Sequence, residues 1–211
     1  TYYYRGDVKN NNVYFAGFYW QIIRINGDSS IRLLYNGTEK KALGLSKFIN
    51  ESTYQYNSKT DSPAYAGYMY GSVIGTRENN IKNEVDSDIK RLLDSWYEDN
   101  LGFNSYENFV FDSGFCNDRS ITTGTGEDVT TLTVFGANSR ANNYTATLKC
   151  ENKSGDLFTT SQSLYGNKSL KYPIGLPTYD ELSFSGLNSD IANNLAWTFS
   201  SPGYWTMSPS W

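Results

Sequence analysis

Histidine is absent from the 211 residues of this chain, and cysteine, methionine and proline are scarce at two, two and five residues. Without histidine the chain cannot build a Ser-His-Asp or Cys-His nucleophilic site, or a histidine-ligated zinc or non-haem iron site. No apolar run approaches the ~20 residues that span a bilayer, so we expect no direct membrane insertion by this segment. The first residues also lack the basic start and apolar middle of a secretory signal.

A strong charge of either sign is also missing, because the net charge is −4 with both signs mixed along the chain. This distribution gives no footprint for nucleic acid or anionic lipid, and we predict neither as a partner. Runs rich in Pro, Gly, Ser or one charge, which mark linkers, are missing too. We therefore predict a single domain over residues 1–211.

Acidic residues suggest no catalytic or metal site. The close pairs are Asp86/Asp88 and Asp180/Glu181, and both stand at predicted helix starts, where the helix dipole favours acids. No loop matches the EF-hand pattern, and only the short runs at 26–28 and 117–118 offer weak calcium candidates. We predict a protein that is not an enzyme, with no catalytic residue, no metal and no cofactor. The alternative is a hydrolase that uses two carboxylates.

Aromatic residues are plentiful at 16% of the chain, with 18 tyrosines. Tyrosine with Asn, Ser and Gly is typical of adaptable binding surfaces, although a codon bias explains it equally well. The C-terminal part holds the best candidate ligand-binding surface, since rigid aromatic rings stack on sugars and on partner side chains. Its members are Trp197, Tyr204, Trp205, Met207 and Trp211. We predict a strand-like segment over residues 201–211, with alternate side chains in the core.

Two apolar runs, Phe18–Ile25 and Ile31–Tyr35, predict a β-hairpin at the centre of the fold. Asn26 and Gly27 between them tolerate the positive φ of a tight turn. Both runs place apolar groups on both faces, which is typical of strands in the middle of a covered sheet. Residues 2–5 and 13–15 are expected to form a short strand pair or an edge that leads into the hairpin.

Apolar spacing predicts a helix over residues 83–102, capped by Asp86 or Ser87 and ended by Gly102 in a left-handed conformation. Thr178 and Glu181 form a capping box, the signature of a helix start, and Gly186 closes that second helix. Strands are expected over residues 130–135 and 145–148.

The two cysteines, Cys116 and Cys150, enclose a long polar loop. An even count in a chain of extracellular character favours a disulfide between them, which would stabilise the fold by roughly 3–4 kcal/mol. Two buried thiols in a cytosolic protein are the alternative.

Several sequence blocks resemble a group of bacterial cell-surface proteins. They are WQIIRINGD at 20–28, IRL at 31–33, IKRLLDSWY at 89–97, FCNDRS at 115–120 and YWTMSPS at 204–210. These proteins are similar to the C-type-lectin-like fold of formylglycine-generating enzymes and of the variable proteins of diversity-generating retroelements. GLPTYDE at 175–181 matches the helix start of that fold, and residues 205–209 match its Trp-x-x-Ser-Pro strand. The resemblance implies an α+β fold with a twisted antiparallel sheet, two main helices and long loops.

Two departures limit what the resemblance implies. The related enzymes need a metal-binding cysteine pair in another context, so catalysis is not carried over to Cys116 and Cys150. Such domains also continue into a closing strand, whereas this sequence stops at Trp211, which would leave a sheet edge unpaired. A fragment, a disordered tail and a strand from another chain are the open explanations.

The sequence thus predicts a secreted or cell-surface binding or adhesion module that recognises a glycan or protein on another surface. The alternative is a structural subunit whose partners are other copies of itself in a filament or layer. In that alternative, residues 1–14 pack poorly on their own domain and add to the sheet edge of a neighbouring copy.

Overall fold

The computed structural model describes residues 1–57, 62–71, 76–127, 132–160, 165–187, 193–200 and 203–209. It is an α+β structure built on a four-stranded antiparallel sheet. The strands are β1 Tyr2–Tyr3, β2 Asn12–Phe15, β3 Phe18–Ile25, β4 Ile31–Tyr35, β5 Phe115–Cys116, β6 Ile121–Thr123, β7 Val134–Phe135 and β8 Leu157–Phe158. The α-helices are α1 Arg77–Asn80, α2 Asp88–Tyr97, α3 Gly136–Asn142, α4 Lys153–Asp156 and α5 Tyr179–Ser185. Short 3₁₀ turns occupy Gly44–Lys47, Tyr106–Phe109 and Asn193–Leu195.

The predicted hairpin is confirmed with the predicted strand limits. Strands β3 and β4 pair antiparallel, and a bulge in β3 shifts the register between Ile22 and Arg24. The turn differs from the expectation, because Ser29 takes the positive φ of 70° and Gly27 does not. The Asp28 carboxylate holds this turn by accepting hydrogen bonds from the Ser30 amide and hydroxyl.

The N-terminal strands β1 and β2 both pair with β3. Strands β2 and β4 pair with the same residues of β3 and therefore lie on opposite sides of it. Strand β1 lies on the same side of β3 as β2. The expected edge leading into the hairpin is therefore confirmed. Residues 1–14 are attached to their own domain by these strands and by Gly6, which exchanges backbone hydrogen bonds with Ser185 and Trp197. Their packing is nevertheless light, as expected, since the side chains of Tyr2, Tyr3 and Tyr14 are exposed.

The two faces of the hairpin are covered differently. On one face, Trp20 and Tyr35 pack against Trp96 of α2, with ring centroids 6.1 and 5.3 Å away. On the other face, Arg24 and Arg32 both reach Glu181 of α5. Strand β3 is thus central, as predicted, whereas β4 has no strand beyond it among the described residues and is an edge strand there.

The long helix begins where the sequence predicts and ends differently. The Ser87 hydroxyl caps α2 by accepting a hydrogen bond from the Lys90 amide. After Tyr97 the backbone continues as one π-helical turn, Glu98–Gly102, instead of stopping at a left-handed glycine. The prediction for Gly102 is therefore wrong: its φ lies outside the positive range, and Phe103 caps the turn in a right-handed conformation.

The second helix follows its sequence signals closely. Thr178 and Glu181 form the capping box, and each side chain bonds the backbone of the other residue. Gly186 ends α5 with a φ of 114°, a conformation that costs glycine little. Within the described ranges, no helix is long and apolar enough to cross a membrane.

A disulfide joins Cys116 to Cys150, whose Cα atoms lie 5.7 Å apart. The chain between them holds β6, β7 and α3, and β6 pairs with β7 within it. Strand β5, where the bridged loop starts, pairs with β8 beyond the loop. Of the strand expected over 130–135, residues 130–131 lie outside the described residues, 132–133 are not in a strand, and Val134–Phe135 form β7. The strand expected over 145–148 does not form: the Thr145 amide bonds the Arg140 carbonyl at the end of α3, and the Thr147 amide bonds the Asp180 carboxylate.

Candidate cavity beside the hairpin edge

A largely apolar cavity of about 1010 Å³ lies along β4. Its walls come from β2, β3, β4 and α2, and from described loop residues within 45–54, 109–115, 173–177, 198–200 and 203–205. The volume is at the upper end of the range for small-molecule sites, which are likewise mostly apolar. The cavity is therefore the candidate functional site.

Trp205 forms an anchored aromatic wall of this cavity. Its side chain is 40% exposed, and its indole Nε1 donates a hydrogen bond to the Tyr54 carbonyl at 2.6 Å. Its ring packs edge-on against the fully buried Tyr56, at 5.6 Å between centroids. An exposed ring that is fixed by a hydrogen bond and by ring packing offers contact area to a ligand at little entropic cost.

Tyr204 lines the cavity next to Trp205 and is half-buried. Its hydroxyl donates to the Thr198 carbonyl at 2.9 Å, and its ring lies 5.9 Å from that of Phe48. Burial raises the pKa of this hydroxyl well above its usual value. The group therefore stays a neutral donor over the physiological pH range.

The other predicted site residues lie elsewhere. Trp197 is buried, and its indole donates to the Tyr4 carbonyl at 3.0 Å, so it ties the C-terminal part to the N-terminal strand. Met207 is fully buried in the hydrophobic core. Trp211 lies outside the described residues. Tyr204 and Trp205 are thus the pair that the structure brings to the cavity.

The expected strand of residues 201–211 does not form within its described part, 203–209. Side-chain bonds shape this segment instead. The fully buried Asn117 donates through Nδ2 to the carbonyls of Met207 and Gly67 and accepts the Met69 amide at 2.8 Å. Asn117, a weak calcium candidate in the sequence, is therefore a clamp that fixes the chain next to Trp205.

The close acid pairs are committed to ion pairs with basic residues. Asp180 binds Arg140, and Glu181 binds Arg24 and Arg32. Burial alone would raise the pKa of Glu181, but Arg32, Arg24 and the Thr178 amide outweigh it and hold that pKa below its usual value.

The acids at the start of α2 are also paired. Lys90 bridges Asp86 and Asp94, and Arg91 binds Asp88. Glu51 is the one carboxylate among the described residues that line the cavity, whereas glycosidase chemistry uses two, roughly 5–10 Å apart. No group of three or more metal-ligating side chains occurs within the described part of the chain.

Sequence reasoning missed most of the cavity wall. The loop of residues 45–54 reads as a polar connection with a few apolar anchors, yet it supplies Lys47, Phe48 and the Tyr54 carbonyl. Its apolar anchors were the one signal that this loop packs on something. No spacing rule places such a loop opposite β4.

No protein-family model, no curated protein and no solved structure matches this chain. The C-type-lectin-like relationship therefore stays a prediction. Function has to be inferred from the cavity and the residues that line it.

Proposed function

We propose that this chain is a non-catalytic binding module that takes apolar side chains of a protein ligand into the cavity beside β4. The observation that carries the proposal is the position of Trp205, which is exposed on the cavity wall and fixed by Tyr54 and Tyr56. Aromatic anchors in apolar pockets supply much of the energy of protein interfaces.

A protein ligand fits this cavity better than a glycan does. Sugars need several polar side chains that converge on their hydroxyls, while aliphatic and aromatic side chains make up most of the walls. Ile89, Leu92 and Leu93 are examples from α2. Apolar walls match apolar side chains.

An extracellular or cell-surface location belongs to the same proposal. The disulfide supports it, because such bonds persist mainly in oxidising compartments. The resemblance of the sequence blocks to C-type-lectin-like proteins of bacterial surfaces supports it as well.

The alternative, a self-assembling subunit, needs residues 1–14 as the strand that is added to a neighbouring copy. Strands β1 and β2 already pair with β3 of their own chain, so residues 1–14 would have to leave that sheet before adding to a neighbour. We keep self-association as an outcome to be measured, not as the leading function.

The test is binding of the purified protein to a glycan array and to a library of synthetic apolar peptides. We expect peptide binding that falls more than about tenfold in Trp205→Ala, because truncated anchors of this kind cost about 2 kcal/mol or more. Phe103→Ala removes an equally aromatic but highly exposed side chain outside the cavity and is the matched control. Binding to glycans alone, or an equal loss in both variants, would contradict the proposal.

A further inference from the structure

The cavity wraps around the edge of β4 and also reaches Val13–Phe15 of β2 and Trp20 and Gln21 of β3. Every residue of the strand Ile31–Tyr35 lines it, together with Ser30. Successive side chains of a strand point to opposite faces of the sheet. Space that touches side chains of both faces has to pass around the edge of β4, where backbone groups are presented.

The hydrogen bonds at both ends of the hairpin show which backbone groups point to that edge. At the open end, the Tyr19 amide donates to the Gly37 carbonyl, and the Asn36 amide donates to the Tyr19 carbonyl. At the turn, the Asn26 amide donates to the Ser30 carbonyl. Ser30 and Asn36 therefore both direct their backbone groups towards β3.

In an antiparallel strand, the N–H and C=O groups of successive residues point to alternate sides. The bulge lies in β3, so this alternation is regular along β4. The backbone groups of Arg32 and Leu34 therefore point to β3, like those of Ser30 and Asn36. Ile31, Leu33 and Tyr35 then direct their N–H and C=O groups into the cavity. Among the described residues, no backbone hydrogen bond joins these three to a segment other than their hairpin partner.

Such an edge can pair with one more strand, because the added strand would hydrogen-bond to its free backbone groups and bury the apolar walls of the cavity. The five residues of β4 would pair with a segment of about the same length, roughly 17 Å. Apolar groups of α2 and of residues 173–177 line the space. The added segment should therefore carry apolar side chains on both of its faces.

A charge at one end of the cavity sets a further requirement. Ser46 packs against Gly37, just past the end of β4, which places the neighbouring Lys47 at the Tyr35 end. Burial lowers the pKa of Lys47, and no acid pairs with it among the described residues. Glu51 also lines the cavity but is exposed, so water screens its charge more.

We propose that the β4 edge binds its protein partner by strand addition. The partner supplies an extended segment of about five apolar residues with an acidic residue next to Lys47. This inference rests on the proposed function, since it specifies how the protein ligand occupies the cavity.

The first experiment uses synthetic peptides of seven to nine residues with a Val/Ile/Leu/Phe centre and Asp or Glu at one end. The tightest binder is remade with N-methyl groups on alternate amides, in the two possible phases. We expect one phase to lose affinity at least tenfold and the other to bind nearly as the parent, because only one set of amides faces β4. Equal binding of both N-methylated peptides would overturn strand addition.

The second experiment follows single amides by hydrogen exchange in NMR. In the free protein, the amides of Ile31, Leu33 and Tyr35 should exchange faster than those of Arg32 and Leu34. The bound peptide should slow the first three. Protection of all five amides in the free protein would show an edge that is already paired and would overturn the proposal. Amide protection that grows with protein concentration would show that a second copy of this chain pairs with β4, and it would also overturn the proposal.

Lys47→Met tests the charge. We expect at least threefold weaker binding of the acidic peptide and unchanged binding of its Asn or Gln analogue. Equal effects on both peptides would reject the acidic residue of the partner.

The failures of the two proposals are distinguishable. Peptide binding that depends on Trp205, without N-methyl phase dependence and without amide protection, would refute strand addition and leave the binding module standing. No peptide binding that depends on Trp205 would remove both.

Discussion

At the scale of single residues, Glu181 connects α5 to the central hairpin. Its buried carboxylate accepts the Thr178 amide and binds Arg24 and Arg32 of the hairpin. Arg32 in turn lies over the Phe115 ring, with its guanidinium carbon 3.7 Å from the centroid. One side chain therefore caps α5 and neutralises two buried cations of the sheet.

Glu181→Gln should destabilise the protein at pH 7 by roughly 3–5 kcal/mol, because it leaves two buried guanidinium groups uncompensated. The pKa of Glu181 is lower in the folded state than its usual 4.5, so its ionised form stabilises the fold. That contribution is fully present above about pH 4.5 and is lost as the pH falls through the folded-state pKa.

Urea unfolding at pH 7 and at about pH 3 measures this difference. The free energies of unfolding of wild type and Glu181→Gln should converge in acid. The exposed Glu39 offers a control, since Glu39→Gln should track the wild type at both pH values. A gap between wild type and Glu181→Gln that stays constant with pH would contradict the assigned role.

The sequence predicts one half of this arrangement. The Thr178–Glu181 capping box is local and was readable from spacing. The arginines that neutralise Glu181 stand 157 and 149 positions away, at Arg24 and Arg32. Spacing along the chain does not report contacts over that distance, so the buried charge cluster could not be predicted.

At the scale of elements, the well-predicted parts are those fixed by local signals. The hairpin limits and both helix starts follow from apolar periodicity and capping residues. The errors arise where tertiary contacts override such signals: π-helical geometry continues through Gly102, and Asn117 holds the chain at Met207 in place of the expected strand pairing. The cavity was not predicted because its walls come from many segments that lie far apart in the sequence.

Ser87→Ala tests how firmly α2 is held at its start. The hydroxyl caps the Lys90 amide and donates to the Met69 carbonyl at 2.8 Å, in a fully buried position. Loss of the cap together with one of the two hydrogen bonds to the Met69 carbonyl, which keeps the Ser87 amide as a partner, should cost about 1–2 kcal/mol. Ser95→Ala, on an exposed face of the same helix, should be neutral or slightly stabilising because alanine favours helix. Thermal unfolding of both variants measures this, and equal effects would refute the cap.

At the scale of the whole molecule, the disulfide region carries the helix that supports the hairpin. Arg140 on α3, within the bridged loop, binds both Asp118 and Asp180. Asp180 belongs to α5, whose Glu181 holds the sheet. The bridge between Cys116 and Cys150 therefore restricts the chain that carries this network.

Reduction of the disulfide should lower the free energy of unfolding by roughly 3–4 kcal/mol, because the bond closes a loop with a sequence separation of 34. Urea unfolding with and without reductant measures the loss. The double variant Cys116→Ser/Cys150→Ser should start at the lower stability and show no response to reductant. Intact mass after alkylation under non-reducing conditions checks the bond itself, and two alkylated thiols in protein from its native source would refute both the bond and the oxidising location it supports.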